Sequence, residues 1–356
     1  MKKERLFYLD FVRAIAAISI VITHFNAKFI FLDPPMVEKA VLTTTVGKIY
    51  IGDWGVSLFF IISGAALMYV YNEKCEWKTF YKKRFLSIYP MFWMAYVLGF
   101  VYFVIVNHVI PGSVLPKWRF LFSVAGFDGL LAANGFPTYY LLGEWFLGVI
   151  ILVYILFPVL RKVLNEKPVL FVVLVILSYA GGLLLCYKGP YPASSTCIFV
   201  RIPELAVGMF FGKYVRKVDW KAAAAAVVVL ILNQIWTSLA VFSKVLSIPA
   251  VRDIRVTYVG AASFIVLAFL SEYLKNAVTE RVCGIVSKYS YAIFLVHHII
   301  IEEVMRRRDL LQMSVLESYV MFALICCIIA CFAWGLYFLH AKIMKQLSRV
   351  GNKKVI

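Results

Sequence analysis

Long apolar runs constrain this chain more than any other feature of its sequence. Such runs cover, for example, residues 169–185 and 318–339. A helix needs about 20 predominantly apolar residues to cross the hydrocarbon core of a bilayer, which is roughly 30 Å thick. Composition agrees, because 63% of the residues are hydrophobic and only 16% are charged, against about half and a quarter in a soluble globular domain. The sequence therefore predicts an integral membrane protein.

The apolar runs predict an all-α, polytopic helix bundle that forms one domain over residues 1–356, with no appended soluble domain. Ten spans are expected, at 8–28, 52–71, 85–108, 140–162, 168–187, 195–212, 220–240, 256–273, 284–303 and 316–341. Lys and Arg concentrate at the N-terminus and in alternate connecting segments, and cytoplasmic segments carry this excess in membrane proteins. Both termini are therefore expected in the cytoplasm. The basic exceptions in outer segments are Arg306–Arg308 and, more weakly, Arg252 and Arg255.

The formal net charge of +18 would suggest nucleic acid if the protein were soluble. In a membrane protein, the positive-inside rule and anionic lipid head groups account for such a charge. We therefore expect membrane lipid, and no nucleic acid, among the partners. The seven Cys include no CxxC pair, and the five His lack neighbours at metal-ligand spacing, so no metal site is expected.

The first predicted span carries three ionisable residues, Asp10, Arg13 and His24. A charged group deep in a bilayer is costly, so it usually has a partner or a function. Asp10 and Arg13 can pair because they are three residues apart on a helix. Arg13 and His24 share a helix face, about 16 Å apart along the axis, with small residues between them. This face resembles the wall of a cleft, although Arg13 could also snorkel to the head groups and His24 could lie near the outer interface.

The segment LDFVRAIAAISIVITHF, residues 9–25, resembles the opening of the acyltransferase-3 family, bacterial membrane proteins that acylate cell-surface glycans. The family's hallmark is an Arg, ten further residues and a His in the first span, and Arg13 and His24 fit it. Similar segments follow in the family's order from about residue 6 to residue 300: FFIISGAALM (59–68), FYKKRFLSIYP (80–90), EWFL (144–147), RIPELAVGMFFG (201–212) and SYAIFLVH (290–297).

This resemblance implies transfer of an acyl group, usually acetyl from acetyl-CoA, to a hydroxyl of a glycan or its lipid-linked precursor. A sugar hydroxyl needs a base within hydrogen-bond reach, and the ordinary pKa of His suits that task. His24 and Arg13 are the catalytic candidates. Two roles for His24 are open, as general base or as an acyl-accepting nucleophile. Acetyl-CoA or another acyl-CoA is then a donor substrate, and no permanently bound cofactor is expected.

The donor is cytoplasmic and anionic, so its phosphates should meet cations near the inner face. The predicted topology places Arg13 and the donor-binding candidates Lys82, Lys83 and Arg84 there. The distance between Arg13 and His24 along the helix axis is comparable to the length of an extended pantetheine arm. The positive-inside rule alone also explains the three basic neighbours. Many family members carry a second Arg at the position of Ser87, and Lys cannot replace the planar fork of Arg.

Five residues are supporting or acceptor-binding candidates. Asp10 is the partner of the first-span arginine. Glu204 could orient a substrate hydroxyl or form a buried ion pair with Arg201. Glu144 stands beside a Trp at an outer span start, where it could contact a sugar, although Trp at an interface is also a common anchor. His297 matches the family and could be catalytic or a hydrogen-bonded packing residue.

Two other classes of function remain open at this point. A transporter or flippase of a lipid-linked sugar would explain the spans but predicts paired broken helices in two halves. A catalytically silent scaffold or sensor would leave Arg13 and His24 without a role. Among enzymes, the alternative is a succinyl rather than an acetyl transferase. The expected location is a bacterial cytoplasmic membrane, and a separate extracytoplasmic protein could accept the acyl group.

Overall fold

The computed structural model of the chain describes residues 4–139, 141–142, 145–191, 193–215 and 217–353, with side chains through residue 346. The described residues are almost entirely helical. The helices are α1 (Phe7–Ile30), α2 (Ile51–Tyr71), α3 (Trp77–Val106), α4 (Phe120–Ala125), α5 (Asp128–Ala133), α6 (Trp145–Glu166), α7 (Pro168–Tyr187), α8 (Ile198–Tyr214), α9 (Trp220–Trp236), α10 (Ser243–Leu246), α11 (Pro249–Leu274), α12 (Ala277–Met305) and α13 (Val315–Lys353). Strands β1 (Thr45–Val46) and β2 (Ile49–Tyr50) form an antiparallel hairpin, and short 3-10 turns cover Val37–Lys39, Lys117–Arg119, Ser194–Thr196 and Ala240–Phe242.

The prediction of an all-α, polytopic bundle is confirmed, and each of the ten predicted spans overlaps a long helix. Within the described ranges, eight of these helices are long and apolar enough to cross a membrane alone. A ninth candidate is α9 taken together with Ala240–Leu246, a pair bent by 85°. The remaining helix, α8, has only 17 residues. It packs against both α2 and α7 and buries most of its middle.

The long helices alternate in direction, so the bundle has two distinct ends. At one end the Arg5 guanidinium donates to the carbonyl oxygen of Gly284, and the Tyr69 hydroxyl donates to that of Glu4. The starts of α1 and α12 therefore lie beside the end of α2. At the opposite end, the Lys39 ammonium donates to the carbonyl oxygen of Leu310. We call these the inner end and the outer end, because the positive-inside rule assigns the first to the cytoplasm.

Glycine brings α2 and α8 into backbone contact. A Cβ atom at Gly208 would lie 1.8 Å from the Ile61 carbonyl oxygen, and one at Gly64 would lie 2.2 Å from that of Leu205. No larger residue fits at such distances without moving a helix. Small residues at helix interfaces permit this close approach in membrane proteins, where van der Waals packing drives association.

The long loop between α3 and α6 contains the short apolar patch 120–131, which folds as α4 and α5 beside α6. The patch does not cross the bundle. It is held by the buried carboxyl group of Asp128, which accepts hydrogen bonds from the Ser123 hydroxyl at 2.8 Å and the Tyr96 hydroxyl at 3.3 Å. Burial raises the pKa of Asp128 to about 6, and the two hydrogen bonds oppose that shift.

Candidate active site

Arg13 belongs to a polar network at the inner end of α1. Its Nη1 donates to the Ser287 hydroxyl at 2.9 Å, and that hydroxyl donates to Oδ1 of Asp10 at 2.6 Å. The predicted pair of Asp10 and Arg13 is present at 3.7 Å, and Arg5 also pairs with Asp10. Two guanidinium groups thus share one buried carboxylate, so positive charge is left over for a ligand.

Sequence reasoning did not find Ser287. It lies on α12, 274 positions from Arg13 in the sequence, and a single Ser in an apolar segment carries no signal of its own. Only the packing of α12 beside α1 places its hydroxyl between Arg13 and Asp10.

Arg13 and Arg84 meet at one cavity of about 330 Å³ between α1, α2, α3, α6 and α12. Most of the other described lining residues are aromatic, aliphatic or hydroxylated: Phe59, Ser63, Leu67, Tyr71, Ser87, Ile88, Phe146, Leu147, Tyr154, Ser290, Tyr291 and Phe294. Within the described part of the chain, no acidic residue lines the cavity. We call this space the inner cavity; its two charged residues are both cationic.

The three basic candidates on α3 do not behave alike. The Arg84 guanidinium lies over the rings of Tyr71 and Tyr154, at 5.9 and 5.6 Å from their centroids. Its Nε is buried and has no hydrogen-bond partner among the described residues. Lys82 and Lys83 are exposed and do not line the inner cavity. The structure therefore brings only Arg84 to Arg13.

Ser87 also lines the inner cavity, one helical turn beyond Arg84. Its hydroxyl donates to the Arg84 carbonyl oxygen at 2.9 Å. The position at which the sequence departs from the family pattern thus faces the same space as the two arginines. A hydroxyl there leaves Arg13 and Arg84 as the only guanidinium groups among the described lining residues.

His24 lies in the outer half of α1 and contacts two histidines of α12. The ring centroids of His297 and His298 are each 4.9 Å from that of His24, in edge-to-face arrangements. His297 is completely buried, and its Nδ1 lies 2.9 Å from the Phe294 carbonyl oxygen and 3.1 Å from that of Ile293. Because a carbonyl oxygen can only accept, Nδ1 is the protonated nitrogen of His297. We call these three residues the histidine cluster.

His298 was not among the sequence-predicted site residues, although it directly follows His297 in an apolar span. That position was the available signal, because adjacent histidines in a buried helix are unusual. Within the described residues, no group of three or more His, Cys, Asp or Glu side chains is arranged to hold a metal ion.

The inner cavity and the histidine cluster are separate but adjoin. His24 does not line the cavity. Phe294 does, and its ring lies 6.3 Å from that of His297 and 5.6 Å from that of Phe146. The Phe294 ring therefore borders both the cavity and the histidine cluster. Along α1, the distance from Arg13 to His24 is about 16 Å, as the rise of a continuous helix requires.

Arg201 and Glu204 form an ion pair away from the inner cavity. Nη1 of Arg201 lies 3.2 and 3.3 Å from the two carboxylate oxygens of Glu204, and Nε donates to the Ser195 carbonyl oxygen at 3.0 Å. The side chains are only 3% and 0% exposed. Neither lines the inner cavity, so this geometry fits the ion-pair interpretation. The other acceptor-binding candidate, Glu144, lies outside the described residues.

Fold and site together define a polytopic membrane protein with a cationic cavity at its inner end and a buried histidine cluster beyond it. The acyltransferase-3 family, described as an acyltransferase domain, matches residues 6–341. The chain belongs to this family and is a membrane acyltransferase, as its motifs predicted.

A curated relative is the acyltransferase MdmB of Streptomyces mycarofaciens. It is 22% identical to this chain over 323 residues, which cover 83% of the chain and 79% of the relative. No solved structure matches the chain.

Proposed function

We propose that the chain is an O-acyltransferase of a bacterial cytoplasmic membrane. It takes an acyl group, acetyl from acetyl-CoA, at the inner cavity and passes it to a hydroxyl of a cell-surface glycan or its lipid-linked precursor. Delivery is direct or through a separate extracytoplasmic acyl-accepting protein. The observation that carries this proposal is the convergence of Arg13 and Arg84 on one cavity, with His24 about 16 Å further along the same helix.

The inner cavity suits the anionic donor. Arg13 has charge left over because Asp10 is shared with Arg5, and Arg84 keeps a buried Nε available for an acceptor. Charge-assisted hydrogen bonds from guanidinium to phosphate are among the strong ones in proteins. The aromatic and aliphatic walls suit the less polar pantetheine arm and the acyl group.

His24 supplies the transfer chemistry by one of two routes. As a general base, one of its ring nitrogens takes the proton of the acceptor hydroxyl while the hydroxyl oxygen attacks the thioester carbonyl carbon. The carbon–sulfur bond then breaks, and CoA leaves as a thiolate that takes up a proton. As a nucleophile, the ring nitrogen itself attacks the thioester carbonyl carbon, the carbon–sulfur bond breaks, and CoA leaves as a thiolate that takes up a proton. The acceptor hydroxyl then attacks the acyl-histidine, the carbon–nitrogen bond breaks, and the released imidazole takes the proton of the hydroxyl.

His297 positions this chemistry rather than performing it. Its Nδ1 is held by two backbone carbonyl oxygens, so its ring has one orientation and one tautomer. The edge-to-face contact with His24 then restricts the rotation of the His24 ring. Phe294 borders both the inner cavity and His297, so the acyl thioester passes its ring to reach His24.

The experiment is donor consumption by the purified protein in nanodiscs, with acetyl-CoA labelled in the acetyl group and a panel of glycan and lipid-linked acceptors. We expect His24→Ala to lower kcat by about 10²–10⁴-fold, the usual contribution of a positioned base. Arg13→Ala and Arg84→Ala should raise the KM for acetyl-CoA by about tenfold or more, as expected when a hydrogen bond to a charged group is lost. Propionyl- and succinyl-CoA test the acyl group.

Lys83→Ala is the matched control, because it removes a cation one residue from Arg84 that does not line the cavity. Its kinetics should equal those of the wild type. Label retained on denatured wild type but not on His24→Ala would identify the acyl-histidine route. If folded His24→Ala retains full activity, or if no donor is consumed with any acceptor, the proposal is wrong.

A further inference from the structure

A second cavity lies between α3, α12 and α13, on a face of α12 that the proposed reaction does not use. Its volume is about 620 Å³, within the range of roughly 300–1,000 Å³ that is typical of ligand sites. The lining is apolar apart from the Tyr102 hydroxyl, the Glu303 carboxylate and a Cys thiol, with Leu98, Ile299 and Phe332 among its apolar members. We call it the lateral groove.

The lateral groove opens sideways, toward the surface that faces lipid. Phe332 is 61% exposed and Leu98 is 52% exposed. Gly335 lines the groove on α13, and a Cβ atom placed there would meet nothing within 4 Å. An open, apolar channel at this depth in a membrane protein is accessible to a hydrocarbon chain.

Polar groups occur at one end of the groove only, the outer end. The Glu303 carboxylate accepts hydrogen bonds from the Tyr102 hydroxyl at 2.9 Å, the Asn107 amide at 3.2 Å and Arg306 at 2.8 Å. Arg307 lies 3.9 Å from the same carboxylate and 3.4 Å from the Tyr102 hydroxyl. The single negative charge at the groove is thus already satisfied by Arg306.

Arg307, which reaches the Tyr102 hydroxyl, adds positive charge at the outer mouth of the groove, and Arg308 follows it in the sequence. Both are exposed, and the Arg308 side chain makes no hydrogen bond or ion pair with any described residue. Asp309 is engaged with the backbone N–H groups of Leu311 and Gln312. Three consecutive arginines at an outer end are an exception to the positive-inside rule, and an anionic ligand accounts for the positive charge that Glu303 leaves over.

From this geometry we infer that the lateral groove binds an anionic phospholipid. One acyl chain lies in the groove, and the phosphate meets Arg307 and Arg308 at the outer end. A guanidinium at the head-group level forms charge-assisted hydrogen bonds with a phosphate, and the apolar channel beneath it accepts the chain. The inference does not depend on the proposed reaction, because the groove and the histidine cluster lie on different faces of α12.

The test is native mass spectrometry of the full chain, released from nanodiscs that contain equal amounts of phosphatidylglycerol and phosphatidylcholine. We expect wild type to retain one phosphatidylglycerol in preference to phosphatidylcholine. Gly335→Phe places a ring at the groove from a position where a Cβ atom meets nothing within 4 Å, and it should reduce retention at least tenfold. Gly181→Phe is the matched control, because Gly181 on α7 is equally open, and it should retain lipid as wild type does.

The charges are tested separately, so that a folding defect cannot explain the result. Arg307→Gln combined with Arg308→Gln should remove the preference for phosphatidylglycerol while a lipid chain is still retained. Lys244→Gln removes an exposed outer cation elsewhere and should leave the preference unchanged. The inference is wrong if folded Gly335→Phe retains as much lipid as wild type, or if wild type does not prefer phosphatidylglycerol to phosphatidylcholine. It is also wrong if the groove is occupied by a second copy of the chain or by a polyprenyl phosphate instead of a phospholipid.

Discussion

The arginine–carboxylate pairs of α1 and α8 have the same spacing, but of these two only the α1 pair contributes a residue to the inner cavity. Asp10 and Arg13 are three residues apart on α1, and Arg201 and Glu204 are three residues apart on α8. Arg201 is 3% exposed and reaches both oxygens of Glu204 at 3.2 and 3.3 Å. Arg13 is 27% exposed and 3.7 Å from Asp10, with Ser287 between them.

The difference shows how surroundings decide what an ion pair can do. In the α8 pair, each charge is neutralised by one partner inside closed packing, so nothing is left for a ligand. In the α1 pair, Asp10 is shared by Arg5 and Arg13, and the Arg13 side chain lines the inner cavity. Spacing in the sequence predicts both pairs equally well. Access to the inner cavity distinguishes the two pairs, and the proposed function uses only the pair that has it.

The largest effect is expected from breaking the closed pair. Glu204→Ala leaves Arg201 charged, buried and without its carboxylate, so the protein should lose about 3–5 kcal/mol of stability. Glu272→Ala is the control, since its pair with Lys217 at the inner end is solvent-accessible and should contribute at most about 1 kcal/mol. Thermal unfolding in detergent compares the two. If Glu204→Ala stays as stable as the control and loses only activity, Glu204 belongs to a substrate site instead.

The sequence predicts most of the bundle but only part of the site. Each of the ten predicted spans overlaps a helix among the described residues, because a helix satisfies its own backbone hydrogen bonds, as a membrane requires. Contacts within one helix, such as that of Asp10 with Arg13, follow from helical spacing. Contacts between helices do not: Ser287 and His298 reach the first span only because α12 packs beside α1.

The basic segment of α3 shows the same limit of prediction from the sequence. Lys82, Lys83 and Arg84 carry the same charge, and composition cannot rank them. The rotation of α3 turns Arg84, Ser87 and Ile88 toward the inner cavity. The helical period relates these three positions to one another, but only the packing of α3 determines which face points inward.

A smaller effect is expected from loosening the open pair. Ser287→Ala removes the hydroxyl that joins Arg13 to Asp10, and a hydrogen bond to a charged group is worth about 1.5–3 kcal/mol. We expect kcat/KM for the acyl-CoA donor to fall by about tenfold or more, mainly through KM, with a small change in unfolding temperature. Ser271→Ala is the control, because that buried hydroxyl bonds only the Ala268 carbonyl oxygen. Equal kinetics for both variants would show that Ser287 does not position Arg13.

The smallest effect comes from a third buried carboxyl group, which has no cation at all. Asp128 accepts only from hydroxyl groups, and burial raises its pKa to about 6, above the value of about 3.9 in an unfolded chain. The folded protein therefore binds this proton more tightly than the unfolded chain does. Its contribution to stability is fully present below pH 3.9 and is lost as the pH rises through about 6.

Asp128→Asn cannot ionise, so it should cancel this loss, at a cost independent of pH because it keeps only one of the two oxygen acceptors. Relative to wild type, the variant should gain about 1 kcal/mol between pH 4 and pH 7 once screening by solvent is allowed for. Thermal unfolding over that range measures the difference, with Glu272→Gln as a control that should follow wild type. A difference that stays constant or shrinks with pH would show that Asp128 is already ionised in the folded protein. Asp128 would then be charged like Asp10 and Glu204, although it lacks their arginine partners. A buried carboxylate in this bundle would therefore stay ionised without an adjacent cation.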